Sequence, residues 1–127
     1  MRLFLITTML AALLGSGPLY AQNSANFVVR GCRDALSDDP KRMAYVEAGI
    51  CIGTVKTLVF LGDVACLELK RTGVSPRTGA LKSPRGFTTE QAMRIVVRYI
   101  ESHPERTQEY FYTMAMQAFV EAWPCPR

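Results

Sequence analysis

The pattern of apolar and polar positions along the chain predicts four helices and almost no alternating strand. Apolar residues recur at helical spacing in four segments, at about 24–36, 41–65, 88–101 and 104–122. Few apolar residues occur between the second and the third of these segments. We therefore predict an all-α fold, a small bundle of about four helices with a long basic loop between helices two and three.

The second helix is predicted to be the central one. An Asp-Pro pair at 39–40 supplies an N-cap and a first-turn proline. Because Lys56 is the only charged residue between Ala48 and Gly62, other helices are expected to cover most of the circumference of this helix. Gly49 and Gly53 lie one turn apart and predict a groove in which a neighbouring backbone packs closely.

Capping patterns mark the starts of the last two helices. Thr88 with Gln91 forms a capping box at the third helix. Ser102 with Glu105 offers a second box, with Pro104 in the first turn of the fourth helix. These two helices are therefore predicted to form an antiparallel pair joined by a short turn.

The segment 67–86 is predicted to be the long, basic and exposed loop. Its length and its glycine and proline content allow two interpretations, a finger that contacts a partner or a disordered insertion kept solvated by its charge. In the first interpretation, five basic side chains would steer association with an acidic groove: Lys70, Arg71, Arg77, Lys82 and Arg85.

The N-terminus has the layout of a secretory signal peptide. Arg2 precedes an apolar run at 3–14, and glycine, proline and the small residue Ala21 follow. The run is shorter than the roughly 20 residues that cross a bilayer. We predict cleavage after Ala21, which gives a signal peptide at 1–21, a single helical domain at 22–127 and a periplasmic location. An uncleaved N-terminal anchor is the alternative.

Composition and charge exclude some classes of function. The chain has 127 residues, with 15 basic and 11 acidic side chains and a net charge of +4. Loss of Arg2 with the leader lowers this charge to +3, which is too mild to indicate a nucleic-acid partner. Glu47, Lys56 and Asp63 disfavour insertion of the second helix into a membrane after the signal is removed.

The four cysteines predict two structural disulfides, because an even number in a small exported chain is typical of a disulfide framework. Zinc is not expected, since no C-x-x-C pair occurs and His103 is the only histidine. Cys51 and Cys66 on one helix would lie about 22 Å apart, too far to bond. Two pairings remain open. We favour Cys32 with Cys51 and Cys66 with Cys125, because the first bond closes a hairpin of helices one and two.

No constellation in the sequence indicates an enzyme. His103 stands beside Pro104 at a helix junction, where a capping or exposed role is expected. Glu101, Glu105 and Glu109 recur at four-residue spacing, but the proline is expected to divide them between two helices. No glycine-rich phosphate loop follows a strand. We predict neither catalytic residues nor a bound cofactor or metal.

Four motifs in order give the chain a family resemblance. They are Cys51-Ile52-Gly53 in the central helix, the segment 84–91 (PRGFTTEQ), the segment 96–105 (VVRYIESHPE) and the ending 118–125, which closes with Ala122-Trp123-Pro124-Cys125. Over roughly 27–125 the chain resembles the Rap/Tai immunity proteins. These are periplasmic inhibitors that protect bacteria from peptidoglycan amidases delivered by type VI secretion.

The resemblance implies a helical periplasmic protein, often a homodimer, that occludes an amidase toxin. One departure affects the disulfides and the partner surface. The family usually has a cysteine two residues before the proline that corresponds to Pro84, whereas this chain has Lys82 there and Cys66 earlier. The alternative function is a periplasmic stress or chaperone-like binding protein without a cognate toxin.

Overall fold

A computed structural model describes residues 23–37, 39 and 45–126. The predicted signal peptide at 1–21 and the predicted start of the second helix at Lys41 lie outside the described residues. Within them the chain forms four α-helices and one 3₁₀ turn, and no strand, which confirms the all-α class. The elements are α1 (Ala25–Ala35), α2 (Tyr45–Thr72), α3 (Thr89–Glu101), the 3₁₀ helix (Pro104–Arg106) and α4 (Phe111–Ala122).

Helices α1 and α2 pack closely because Gly31 has no side chain. A Cβ on Gly31 would lie 2.2 Å from the carbonyl carbon of Glu47. The disulfide between Cys32 and Cys51 closes this pair, with Cα atoms 5.4 Å apart. The second disulfide joins Cys66 to Cys125. The favoured pairing of the four cysteines is therefore confirmed.

Helix α2 is the long central element, but the described residues cover it on one face only. Its buried residues, spaced three or four apart, are Ala48, Cys51, Val55, Val59, Gly62 and Cys66. The expectation that other helices cover most of its circumference is wrong. At 28 residues α2 is about 42 Å long, and the three shorter helices all pack on its buried side.

The predicted packing groove at Gly49 and Gly53 is also wrong for the part of the chain that the structure describes, where no atom lies within 4 Å of a Cβ built on either residue.

Among the described helices, α2 is long and apolar enough to cross a membrane. The core helix of a soluble bundle can have the same length and composition. The buried face of α2 carries both disulfide connections, to α1 and to the C-terminal segment.

Helices α3 and α4 complete the core. The hydroxyl of Thr88 accepts a hydrogen bond from the Gln91 backbone N–H at 3.1 Å, which confirms this half of the predicted capping box. Helical spacing within 88–101 predicts an apolar stripe on the third helix, and three of its members, Ala92, Val96 and Ile100, are buried. They belong to the same core cluster as Met114 and Phe119 of α4.

The second predicted capping box is wrong, because the fourth α-helix begins at Phe111 and not near Pro104. The Ser102 hydroxyl donates instead to the Tyr99 carbonyl. The intervening carbonyls of Thr107 and Glu109 accept hydrogen bonds from the first backbone N–H groups of α1. These amides have no partner within their own helix. Because its carbonyls cap α1, the segment before α4 does not continue as a helix.

The long basic loop is shorter than predicted. Helix α2 continues to Thr72, so Lys70 and Arg71 lie on its last turn and not in the loop. Gly73, with φ +73°, ends the helix, and its N–H donates to the Leu69 carbonyl. The connection to α3 comprises residues 73–88, which we call the strap.

The strap is bound across the bundle and does not project as an exposed finger. Leu81 is fully buried, and its N–H donates to the carbonyl of Gly62. The Lys82 N–H donates to the carbonyl of Trp123. Asp63 on α2 accepts hydrogen bonds from the backbone and hydroxyl of Ser83. The strap therefore joins the middle of α2 to the C-terminal segment.

Candidate partner-binding groove

An open groove of about 890 Å³ lies between α2, the strap and α4. Most of its surface is apolar, as is typical of sites that receive a hydrophobic side chain from a partner. Helix α2 contributes Leu58, Leu61, Val64 and Ala65; α4 contributes Tyr112, Met116 and Val120. Tyr112 and Leu61 are about half exposed, which leaves both side chains free to contact a partner.

The strap forms one wall of the groove, and Gly79 allows it to approach α4. Gly79 has φ +91°, a backbone conformation that favours glycine. A Cβ at this position would lie 3.0 Å from Val120 and 3.2 Å from Met116. The Gly79 N–H donates to the carbonyl of Pro76, which closes a tight turn. A larger residue at 79 would push the strap away from α4 and widen the groove.

A polar cluster borders the groove where Tyr99 and Gln117 line it. Arg106 donates to the Tyr99 hydroxyl at 3.2 Å and to the Gln117 side-chain oxygen at 2.7 Å. Its guanidinium also forms two hydrogen bonds with the carboxylate of Glu109. These bonds lower the pKa of Glu109 and raise that of Arg106. The cluster presents fixed polar groups beside an apolar surface.

The five predicted partner-binding residues do not form one patch. Arg77 lines the groove. Arg71 forms an ion pair with Glu68, which also lines the groove, and this hydrogen-bonded contact raises the pKa of Arg71. Lys82 lies 3.8 Å from Asp63, outside the groove lining. Lys70 and Arg85 are exposed and do not line the groove either.

The carboxylates considered for catalysis are separated in the structure. Glu101 ends α3 and pairs with Arg33 of α1 at 2.8 Å, whereas Glu109 pairs with Arg106. The His103 ring packs on Tyr99 with centroids 4.3 Å apart, and its Nδ1 contacts the Tyr99 carbonyl at the end of α3. Among the described residues, no group of three or more His, Cys, Asp or Glu side chains could hold a metal ion.

The α4 side of the groove was not predicted from the sequence. Besides the residues that α4 buries in the core, a second stripe runs at i, i+4 and i+8, formed by Tyr112, Met116 and Val120. The sequence signal for the groove was that this short helix has two apolar faces. A helix at the edge of a bundle needs only one apolar face to pack on the core.

In a comparison with protein-family models, residues 22–125 match the Rap1a immunity proteins. No curated protein and no solved structure matches the chain. The matched segment includes all four cysteines, the strap and the groove, and it agrees with the resemblance found in the sequence motifs. The chain therefore belongs to the Rap1a immunity protein family, whose role is immunity against a secreted toxin.

Proposed function

We propose that this protein is exported to the periplasm, where it binds and neutralises a peptidoglycan amidase toxin delivered by type VI secretion. The observation that carries the proposal is the family match over 22–125, nearly the whole chain after the predicted signal peptide. The two disulfides support an oxidising compartment, because such bonds persist outside the cytoplasm.

The proposed mechanism is occlusion without chemistry. An amidase must admit a polymeric substrate along an accessible cleft, and a bound protein that covers the cleft blocks the substrate. The groove supports a contact of this kind because it combines an apolar floor with polar groups at its edge. An apolar side chain from the toxin would enter between Leu61 and Tyr112 and supply most of the binding energy.

The basic residues would contribute chiefly to the rate of association. Arg77 lies in the groove, and its charge would attract acidic residues around a toxin cleft towards the groove. Lys70, Arg71, Lys82 and Arg85 would add a diffuse positive field around this contact. Replacing all five with Ser is expected to slow association and flatten its salt dependence, with a smaller effect on dissociation.

The proposal is tested by capture with the mature, oxidised protein as bait on secreted and periplasmic fractions of the producing organism. We expect a peptidoglycan amidase to be retained in stoichiometric amount. Leu61→Glu, which places a charge in the apolar groove, should weaken binding of this amidase about 30-fold or more. The matched control is Val74→Glu, because Val74 is 68% exposed and does not line the groove.

One result would contradict the proposed function and another the proposed contact site. Retention of many unrelated proteins, rising as the pH falls, would replace the immunity function with the chaperone-like one. Equal amidase binding by both variants would mean that the toxin binds elsewhere on the surface and not in the groove.

A further inference from the structure

Helix α4 presents a line of polar side chains to the groove. The line comprises Thr113, Gln117 and Glu121, which recur at four-residue spacing and all line the groove. Because an α-helix has about 3.6 residues per turn, this polar line runs next to the apolar stripe of α4. Within the line, Gln117 is hydrogen-bonded to two other elements, through Tyr99 of α3 and Arg106 of the 3₁₀ helix.

Two donors fix the side-chain oxygen of Gln117. The Tyr99 hydroxyl donates to this oxygen at 3.2 Å and the Arg106 guanidinium donates at 2.7 Å. Arg106 itself forms two hydrogen bonds with the Glu109 carboxylate. If the oxygen and nitrogen of the Gln117 amide exchanged places, its NH₂ group would face the N–H groups of Arg106, donor against donor. The hydrogen bonds therefore determine which end of the amide faces the polar cluster.

The amide nitrogen is the free end of the Gln117 side chain. Within the part of the chain that the structure describes, its two N–H groups have no hydrogen-bond acceptor. Gln117 is exposed and lines the groove, so water satisfies these donors until a partner displaces it. A surface glutamine normally loses rotamer freedom when it binds, but the bonds to Tyr99 and Arg106 restrict this side chain beforehand. The groove thus contains a preorganised pair of donors beside an apolar floor.

The charges of the groove favour a neutral acceptor over a carboxylate. Among the described residues that line it, the charged ones are Glu68, Arg77 and Glu121. Glu68 is paired with a neighbouring arginine of α2, which leaves opposite charges on Arg77 and Glu121. The guanidinium that holds Gln117 is neutralised by its own carboxylate partner. Because no excess of positive charge surrounds the donors, a neutral carbonyl oxygen matches them better than an ionised group does.

From this geometry we infer that Gln117 determines specificity in the groove by donating to a main-chain carbonyl of the toxin. The carbonyl belongs to the segment whose apolar side chain enters between Leu61 and Tyr112, so this inference rests on the proposed function. A segment that inserts a side chain brings its own backbone carbonyls to the apolar surface, where they lose water and need a donor. Arg106 is a positioning residue, because it acts through the orientation of the Gln117 amide.

The affinity of the captured amidase for variants at position 117 tests this hydrogen bond. Gln117→Leu keeps the approximate size and removes both donors. We expect it to weaken binding about tenfold, because a carbonyl is left unpaired in the contact. Gln117→Glu keeps the acceptor for Tyr99 and Arg106 but sets a carboxylate against the carbonyl of the toxin, and should weaken binding at least as much. The matched control is Gln91→Leu, which should leave the affinity unchanged, because Gln91 is exposed on α3 and does not line the groove.

Arg106→Ala distinguishes positioning from direct contact. If Arg106 acts through Gln117, this substitution should weaken binding about threefold in the wild type and less than about 1.5-fold in Gln117→Leu. Equal weakening in both backgrounds would overturn the positioning role. In the free protein, NMR relaxation should show a rigid NH₂ group on Gln117 that becomes mobile in Arg106→Ala. Circular dichroism of every variant verifies folding.

The possible outcomes separate the role of Gln117 from the proposed function. Unchanged binding by Gln117→Leu, while Leu61→Glu still weakens it, would overturn the role of Gln117 and leave the groove as the toxin site. Tighter binding by Gln117→Glu would also overturn that role, because the toxin would then present a donor or a cation. So would a Gln117 amide as mobile as that of Gln91 in the free wild-type protein, a result that requires no toxin. Capture of no amidase would overturn the proposed function, and this hydrogen bond with it.

Discussion

At the scale of single residues, the glycines within the helices differ in how closely a neighbouring helix approaches them. In the sequence each of them lowers helix propensity to a similar degree. In the structure Gly31 lies where α1 contacts the backbone of Glu47, whereas no described atom lies within 4 Å of a Cβ built on Gly49. Propensity is a local property, but the cost of an added methyl group depends on the neighbouring helix.

Gly31→Ala is expected to lower the free energy of unfolding by about 1–3 kcal/mol, because the new Cβ would overlap the backbone of α2 and separate α1 from it. Gly49→Ala should instead raise it by about 0.5–1 kcal/mol, since it gains helix propensity in open space. Denaturant unfolding followed by Trp123 fluorescence measures both changes in unfolding free energy. Equal effects of the two substitutions would contradict the close helix crossing at Gly31.

At the scale of elements, the sequence predicts best those features that depend on neighbours along the chain. The Thr88 cap and the buried stripe of α3 follow from spacing within one helix. The start of α4 could not be predicted in this way. The carbonyls of Thr107 and Glu109 accept hydrogen bonds from the first backbone N–H groups of α1, which is distant in sequence. These hydrogen bonds outweigh the local capping signal at Ser102.

The same limit applies to the strap. Its glycines, prolines and charges predict an exposed loop, but Leu81, its one fully buried side chain, anchors it in the core beside Gly62. Phe87, which is partly buried, packs against the core as well. One buried side chain within a polar segment gives no periodicity from which it could be recognised. The strap is therefore a structural element that closes one side of the groove.

Leu81→Ala is expected to cost about 2–5 kcal/mol of unfolding free energy, the range for a truncated leucine in a core. Val74→Ala in the same segment should change it by less than about 0.5 kcal/mol, because Val74 is exposed. Hydrogen exchange provides a second readout: the Lys82 amide, bonded to the Trp123 carbonyl, should be protected in the wild type and exposed in Leu81→Ala. Similar costs for both substitutions would mean that the strap is not anchored.

At the scale of the whole molecule, family and fold class could be predicted from the sequence, but the candidate site could not. The motifs that carry the resemblance contain caps, core positions and cysteines, and these determine how the bundle packs. The groove arises only when α2, the strap and α4 meet. Of the five basic residues expected to share one surface, only Arg77 lines that groove. A sequence gives the charge of each side chain but not the direction in which the side chain points.

The most direct test of the account is the hydrolysis of purified peptidoglycan by the captured amidase as the mature, oxidised protein is added in increasing amounts. Occlusion predicts that hydrolysis falls in proportion to added protein and ends near one chain of this protein per amidase molecule. Leu61→Glu should require a large excess to reach the same inhibition. Undiminished hydrolysis with the wild-type protein in saturating excess would contradict the central claim that this chain neutralises the toxin by covering its cleft.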